Sequence, residues 1–337
     1  MRRLLLIPLL TLLSCSVFAQ SREELYNNFE VAISERDTTA TLAIISDWEK
    51  LFPNDAELYS LRANHYFQNA IDEGLVISPE EPTDGRQCLE ITDSLGVKGY
   101  MYSEMVVDST KLDSAKRSLE EGIILHPNRL DLRLGKVTIH LYVNEYADAI
   151  KEVKSALEQS KINNNNWLET LDTPIETDGV SYLRDCIQDY FAQFLETDNL
   201  PFAEKLADVC VELYPKEAIF LTDKGTARYY AGDQQGAIEW YLKAHKNSPN
   251  DMLIATNIAI LYEQQGEIKK AIKYYTIVAK SGDEEFSESA KAALTELKAD
   301  MNQAEVDHIE AKSKGGTNHT SNAQVLSKEE NLRKSNK

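Results

Sequence analysis

Ala203, Ala237 and Ala271 stand 34 residues apart, and Pro215 and Pro249 keep the same interval. A period of that length is one supersecondary unit returning along the chain, and it constrains the fold more than any single motif. Small residues recur where two helices must touch: Ala237 and Ala244 lie seven residues apart, two turns along one helix face. Gly232 and Gly266 fall where the chain must reverse, because a positive φ is cheap only without a Cβ. Pro249 cannot continue a helix and therefore ends one. A pair of short antiparallel helices cannot bury its apolar faces alone, so such units are stable only when stacked on their neighbours.

Leu221, Gly225, Gly232, Ala237, Tyr241, Ala244 and Pro249 hold signature positions 4, 8, 15, 20, 24, 27 and 32 of the tetratricopeptide repeat. Tyr262, Gly266, Ala271 and Tyr275 hold positions 11, 15, 20 and 24 of the next copy. On these residues the chain resembles tetratricopeptide repeat proteins. The resemblance implies an all-α solenoid of helical hairpins, about six repeats in all.

The chain opens like an exported bacterial protein. Arg2 and Arg3 precede the apolar run 4–13, and Val17-Phe18-Ala19 forms a small-residue cleavage site, so 1–19 reads as a signal peptide. Leu12-Leu13-Ser14-Cys15 also resembles a lipobox, which leaves two fates open: simple secretion to the periplasm or beyond, or a lipid anchor on Cys15 in the envelope. The run is too short to span a bilayer, which takes roughly 20 residues. The formal charge of −19 disfavours nucleic acid or anionic lipid as a partner.

Residues 20–160 read as N-terminal repeats, since the Pro-Asn turns at Pro53-Asn54 and Pro127-Asn128 parallel Pro249-Asn250. Tyr59, Ala63 and Tyr66 occupy positions 4, 8 and 11 of a repeat whose second helix is displaced. Between its halves, at about 75–105, two runs of strand type (88–92 and 97–102) flank the turn Asp93-Ser94-Leu95-Gly96, which predicts an inserted β-hairpin. Ala115 and Ala149, again 34 apart, resume the period. Residues 161–180, with the asparagine run 163–166 and Thr173-Pro174, read as a loop or soft boundary. Repeats fill 181–284, a charged amphipathic capping helix 285–312, and a polar disordered tail 313–337.

Little in the chain points to chemistry. The six histidines include no pair at the i, i+4 spacing of a metal-binding helix face, and no Gly-rich phosphate loop sits between a strand and a helix. No catalytic residue, cofactor or metal site is expected. Cys88, Cys186 and Cys210 are too few for a disulfide framework. For Cys186 and Cys210, at positions 3 and 27 of one repeat, two readings stand: a disulfide, or two small buried apolar side chains.

In the family the concave groove is lined by positions 2, 5, 9, 12 and 13 of each first helix. The resemblance places Thr222, Thr226, Tyr229 and Tyr230 there in one repeat, with Thr256 and Ile260 in the next, and Asn64 and Phe67 in the front half. Thr222 and Thr256 stand where chaperone-tail binders carry a lysine, so a carboxylate clamp of that kind is missing. Tyr229 and Tyr230 are the strongest contact candidates, although one of two adjacent helical tyrosines often packs in the core. The resulting expectation is a non-enzymatic envelope scaffold that binds a protein or peptide. The rival expectation is a carbohydrate-binding component of an envelope uptake system, resting on export and 16 tyrosines.

Overall fold

The computed structural model describes residues 20–83, 85–175 and 179–313. The expected signal peptide, with Cys15, and the expected tail from residue 314 onward lie outside the described residues. The chain divides into two compact units, 1–184 and 185–337.

The first unit is built from three helical hairpins. Helices α1 (Arg22–Ser34) and α2 (Thr38–Leu51) form the first, and α5 (Leu130–Tyr142) and α6 (Tyr146–Ile162) the third. The second pairs α3 (Ala56–Ala70) with α4 (Ser109–Leu125) across an insertion of 38 residues. The two ends of that insertion meet: the Asp108 amide donates to the Ala70 carbonyl at 2.8 Å, and the Asp108 side chain caps α4 by accepting from the Thr110 and Lys111 amides. Gly122 allows the close approach of the two helices, because a Cβ there would lie 2.7 Å from the Tyr59 Cβ.

The insertion is a three-stranded antiparallel sheet rather than a hairpin alone. Strands β1 (Ile71–Ser78), β2 (Leu89–Thr92) and β3 (Lys98–Val107) lie in the order β1-β3-β2. The expected hairpin is β2–β3, and its turn is fixed by Asp93, whose carboxylate accepts from the Leu95 and Val97 amides, and by Gly96 at φ 84°. The strand not expected from the sequence is β1, which continues directly from α3 and pairs with β3 from Ile71↔Val107 to Ser78↔Tyr100. The chain turns from helix to strand at Ile71, where helical periodicity still fits the residues and only pairing with the distant β3 decides.

The second unit stacks α7 (Gly179–Glu196) and α8 (Leu200–Leu213), α9 (Ala218–Tyr230) and α10 (Gln234–Asn247), and α11 (Met252–Gln264) and α12 (Ile268–Ala279). A last helix, α13 (Glu284–Ser313), lays Ala290, Leu294 and Leu297 onto the core formed by Ala237, Ile258, Ala271 and Val278. It covers the apolar face that the final hairpin would otherwise expose. None of the described helices is long and apolar enough to cross a membrane.

One backbone feature marks five hairpins at the same place. Arg36, Asn144, Asp198, Gly232 and Gly266, all at repeat position 15, have φ of 56°, 60°, 56°, 82° and 73°. At each, the amide of the next residue reaches back to the first helix: Asp37 to Ala32, Glu145 to His140, Asn199 to Phe194, Asp233 to Arg228 and Glu267 to Tyr262, at 2.7–2.9 Å. This is a Schellman closure, which satisfies orphan carbonyls while reversing the chain. In the α3/α4 hairpin the sheet takes the place of that turn.

Two outcomes follow from this geometry. Arg36→Gly should stabilise the protein by about 0.5–1 kcal/mol, because a left-handed non-glycine residue costs ~1–2 kcal/mol and glycine gives part of that back as unfolded-state entropy. Gly122→Ala should destabilise it by about 1–3 kcal/mol through overpacking against Tyr59. Chemical denaturation of each variant measures both, and a neutral Gly122→Ala would contradict a tight α3–α4 hairpin.

Candidate functional site

The rear groove positions lie on α9 and α11, which are equivalent helices of successive hairpins. The two tyrosines at the end of α9 are both open to solvent, Tyr229 at 40% and Tyr230 at 60% exposure. Neither has been drawn into the core. Their rings meet edge to face, with centroids 5.9 Å apart and planes at 86°. Such a pair offers one face and one edge, not the flat shared platform on which a sugar ring stacks. On α11, Leu253 and Ile260 are exposed at 52% and 38%.

The polar groups along this face are already engaged. The Thr222 hydroxyl donates to the Ala218 carbonyl at 2.9 Å and that of Thr256 to the Met252 carbonyl at 2.7 Å. Thr226 and Tyr241 share a hydroxyl–hydroxyl bond of 3.0 Å. The carboxylate at groove position 12 of α11, Glu263, accepts from the Tyr275 hydroxyl at 2.7 Å. Burial and this acceptor hold the Tyr275 hydroxyl firmly protonated. What remains available is apolar and aromatic surface with two phenolic hydroxyls and the exposed side-chain amide of Gln264, whose oxygen accepts from Gln234 at 3.3 Å.

The charges of α9 point the other way. Asp223 and Lys224 are buried on the side facing α7 and α8. The Gln188 amide donates to Asp223 at 2.6 Å, while Lys224 reaches Asp208 at 2.5 Å. Burial pushes the Asp223 carboxyl up to about 7, against that single stabilising hydrogen bond. Cys210, nearby on α8, is a buried free thiol, and Cys186 is also free; the two are not bonded to one another. Burial raises both thiols above their ordinary range. Cys210 packs among helices as a small apolar side chain, while Cys186 is half-buried.

In the front unit, Asn64 is exposed, but Phe67 is half-buried with its ring edge to face on Tyr142 at 5.3 Å. Gln68, beside them, donates to the Ile33 carbonyl at 2.9 Å. The other end of the same helices is covered by the segment 167–175. It forms a miniature hairpin from β4 (Leu168–Glu169) and β5 (Thr173–Pro174), with the 3-10 turn Thr170–Asp172 at its tip. Its base is anchored by Trp167, which is buried, lies under Arg133 at 5.9 Å and donates to the Ser160 hydroxyl at 3.3 Å.

The tip enters an ionic cluster that the sequence did not reveal. Asp172 bonds Arg22 at 2.9 Å and Arg129 at 3.2 Å. Arg129 is 1% exposed and also pairs with Glu57 and Asp131, each at 2.7 Å, while Arg22 pairs with Asp55 at 2.9 Å. Burial holds the Glu57 carboxyl above the ordinary range despite Arg129. Burial works in the same direction on Asp172, but Arg22 and Arg129 outweigh it and hold that carboxyl low. Arg22 and Asp172 are 150 residues apart, so no local pattern could have joined them.

A histidine–carboxylate cluster was also missed, because it does not follow the His-His spacing sought in the sequence. His140, Glu145 and Asp148 place ligand atoms within 4.8 Å of one another. His140 lies 2.6 Å from Glu145, and the Lys116 ammonium contacts the same Glu145 oxygen. Burial opposes the Glu145 charge, but Lys116 and His140 overcome it and keep the carboxyl below its usual range. An ammonium already supplies the positive charge that a metal would bring.

Asp223 gives a pH-dependent outcome. Its proton is held more tightly in the folded chain, up to about 7, than in the unfolded one. The stability associated with the neutral form is therefore complete near pH 4 and is lost as pH rises toward and through about 7. Asp223→Asn should raise the melting temperature at pH 8 and leave it nearly unchanged at pH 4.5. Equal shifts at the two pH values would show that the buried carboxyl does not titrate in this window.

No family model matches the chain. It is 35% identical over 77 residues to the TPR repeat-containing protein MJ1428 of Methanocaldococcus jannaschii, over 23% of this chain and 14% of that protein. Similar solved structures include MamA, at 16% identity and a TM-score of 0.34 over 52% of this chain and 92% of that one. YrrB, described as a TPR protein with an unusual peptide-binding site, matches at 14% identity and a TM-score of 0.34, over 55% of this chain and 85% of its own. The TPR domain of P58(IPK) covers 87% of this chain and 68% of its own at 14% identity and a TM-score of 0.33.

Proposed function

We infer that this chain, whose helical hairpins are tetratricopeptide repeats, is an exported scaffold that binds a protein or peptide on the groove face of α9 and α11. The observation that carries the reading is the exposed pair Tyr229 and Tyr230, together with Leu253 and Ile260, on a face whose threonine hydroxyls and carboxylate are engaged internally. Rigid aromatics on a preformed helix lose little entropy on binding and bury large area, which is how contact energy concentrates in few residues. The groove positions carry no cation, and their one charge is the Glu263 carboxylate bonded by Tyr275, so the partner it suits is an apolar segment without acidic groups. An acidic tail would find no cation there to replace its water.

Placement in the cell envelope rests on the sequence 1–19 alone, through either simple cleavage or lipidation at Cys15. No reaction is part of this reading.

In-cell crosslinking of the tagged protein in its native host, followed by mass spectrometry, tests it. One envelope protein should be enriched with the wild type and lost with Tyr229→Ala/Tyr230→Ala, whose far-ultraviolet circular dichroism should match the wild type. In a binding assay with that partner the double variant should lose about 2–4 kcal/mol, the range of central aromatic contacts. Retention of the partner by the double variant would remove this face from the function.

A further inference from the structure

The miniature hairpin 167–175 lies where a ligand of the front repeats would lie. Counting repeat positions from Tyr59 at position 4 puts Glu57 at position 2 of its helix, and the same count puts Asp131 at position 2 and Tyr26 at position 5 of theirs. These are groove-lining positions on α3, α5 and α1, and the hairpin tip touches α1, α3 and Arg129, the residue that caps α5. Thr170 lies beside the Tyr26 side chain, and the Leu171 amide donates to the Glu57 carboxylate. The Leu171 side chain packs against the cluster of Leu25, Phe29, Leu58 and Leu61, and Asp172 bridges Arg22 and Arg129.

We propose that this end of the front groove is a peptide-binding site whose resident occupant is the chain's own hairpin tip, and that the ligand it accepts is an extended segment bearing a leucine-like residue followed by a carboxylate. Two features make the occupant displaceable rather than a fixed part of the core. Leu171 and Asp172 are both left-handed, at φ 59° and 58°, a conformation that costs backbone energy in consecutive non-glycine residues. The ionic grip is also shared: Asp55, Glu57, Asp131 and Asp172 compete for the guanidiniums of Arg22 and Arg129, and the Asp172 side chain remains 42% exposed. The anchor at Trp167, by contrast, is buried and can hold the base while the tip leaves. A competing segment in an unstrained extended conformation could fill the leucine seat and bond Arg22 without that backbone cost.

The site is in the first unit and stands independently of the α9–α11 face. Native-state hydrogen exchange on the wild type is the first test, with amides 168–175 expected to open at least tenfold more often than those of α3 and α5. Exchange of 168–175 only through global unfolding would overturn the proposal. The second test titrates a fluorescent peptide of sequence 167–175 against the full chain and against Leu171→Ala/Asp172→Asn, read by anisotropy. Binding should be at least tenfold tighter to the variant, should be competed by unlabelled peptide, and should fall at least fivefold when Arg22→Ala is added. A variant with a released tip and no gain in peptide binding would show the hairpin to be a structural staple only.

Discussion

A hairpin of two helices, each about a dozen residues long, buries its apolar faces only if the chain reverses within a residue or two between them. The left-handed residue at position 15 performs that reversal in five of the hairpins, with the same reach-back hydrogen bond each time. The crossing of the helices then depends on small residues, and Ala115, Ala149, Ala203, Ala237 and Ala271 at position 20 are all buried, at no more than 1% exposure. Turn and contact together fix the phase of each helix. That phase decides which residues face the neighbouring hairpin and which are left for the groove.

This dependence explains what could be read from the sequence. In the last two hairpins, α9/α10 and α11/α12, glycine fills position 15, and the turn is visible as a residue type. In the other three, Arg36, Asn144 and Asp198 adopt the same conformation without announcing it, because the Schellman hydrogen bonds and helix packing override their intrinsic preference. Strand β1 was hidden for a related reason: Ile71 follows α3 in good helical phase, and only pairing with β3, some 30 residues on, converts the segment to a strand. The cluster joining Arg22, Glu57, Arg129 and Asp172 is wholly non-local, and charged residues at those spacings look like any solvated helix face. Tyr229 and Tyr230 were legible as candidates through their repeat positions, but their exposure depends on packing that the sequence leaves open.

Charge is distributed with a consistent logic in both units. Buried and half-buried ionic groups sit at seams between helices, as with Asp223 and Lys224 facing α7 and α8, or Lys116 on Glu145 between α4 and the turn before α6. Such pairs contribute little net stability once desolvation is counted, yet removing one partner is costly, so they fix which hairpin lies beside which. The rear groove is left nearly neutral on a chain of charge −19. Long-range repulsion of acidic molecules by the whole surface and the local preference for apolar contact therefore act in the same direction.

The sheet inserted between α3 and α4 leaves and returns at one point, where the Asp108 amide already bonds the Ala70 carbonyl. Chain entropy then charges the hairpin for closing a long excursion, but only logarithmically with its length, and the β1–β3 ladder offsets part of that cost by zipping from its base. Position 15 is thus a port as well as a turn. An unrelated module whose ends lie a strand-spacing apart could be spliced there without altering the helices on either side, which makes the reversal point of a helical hairpin a natural place for such arrays to acquire new surfaces.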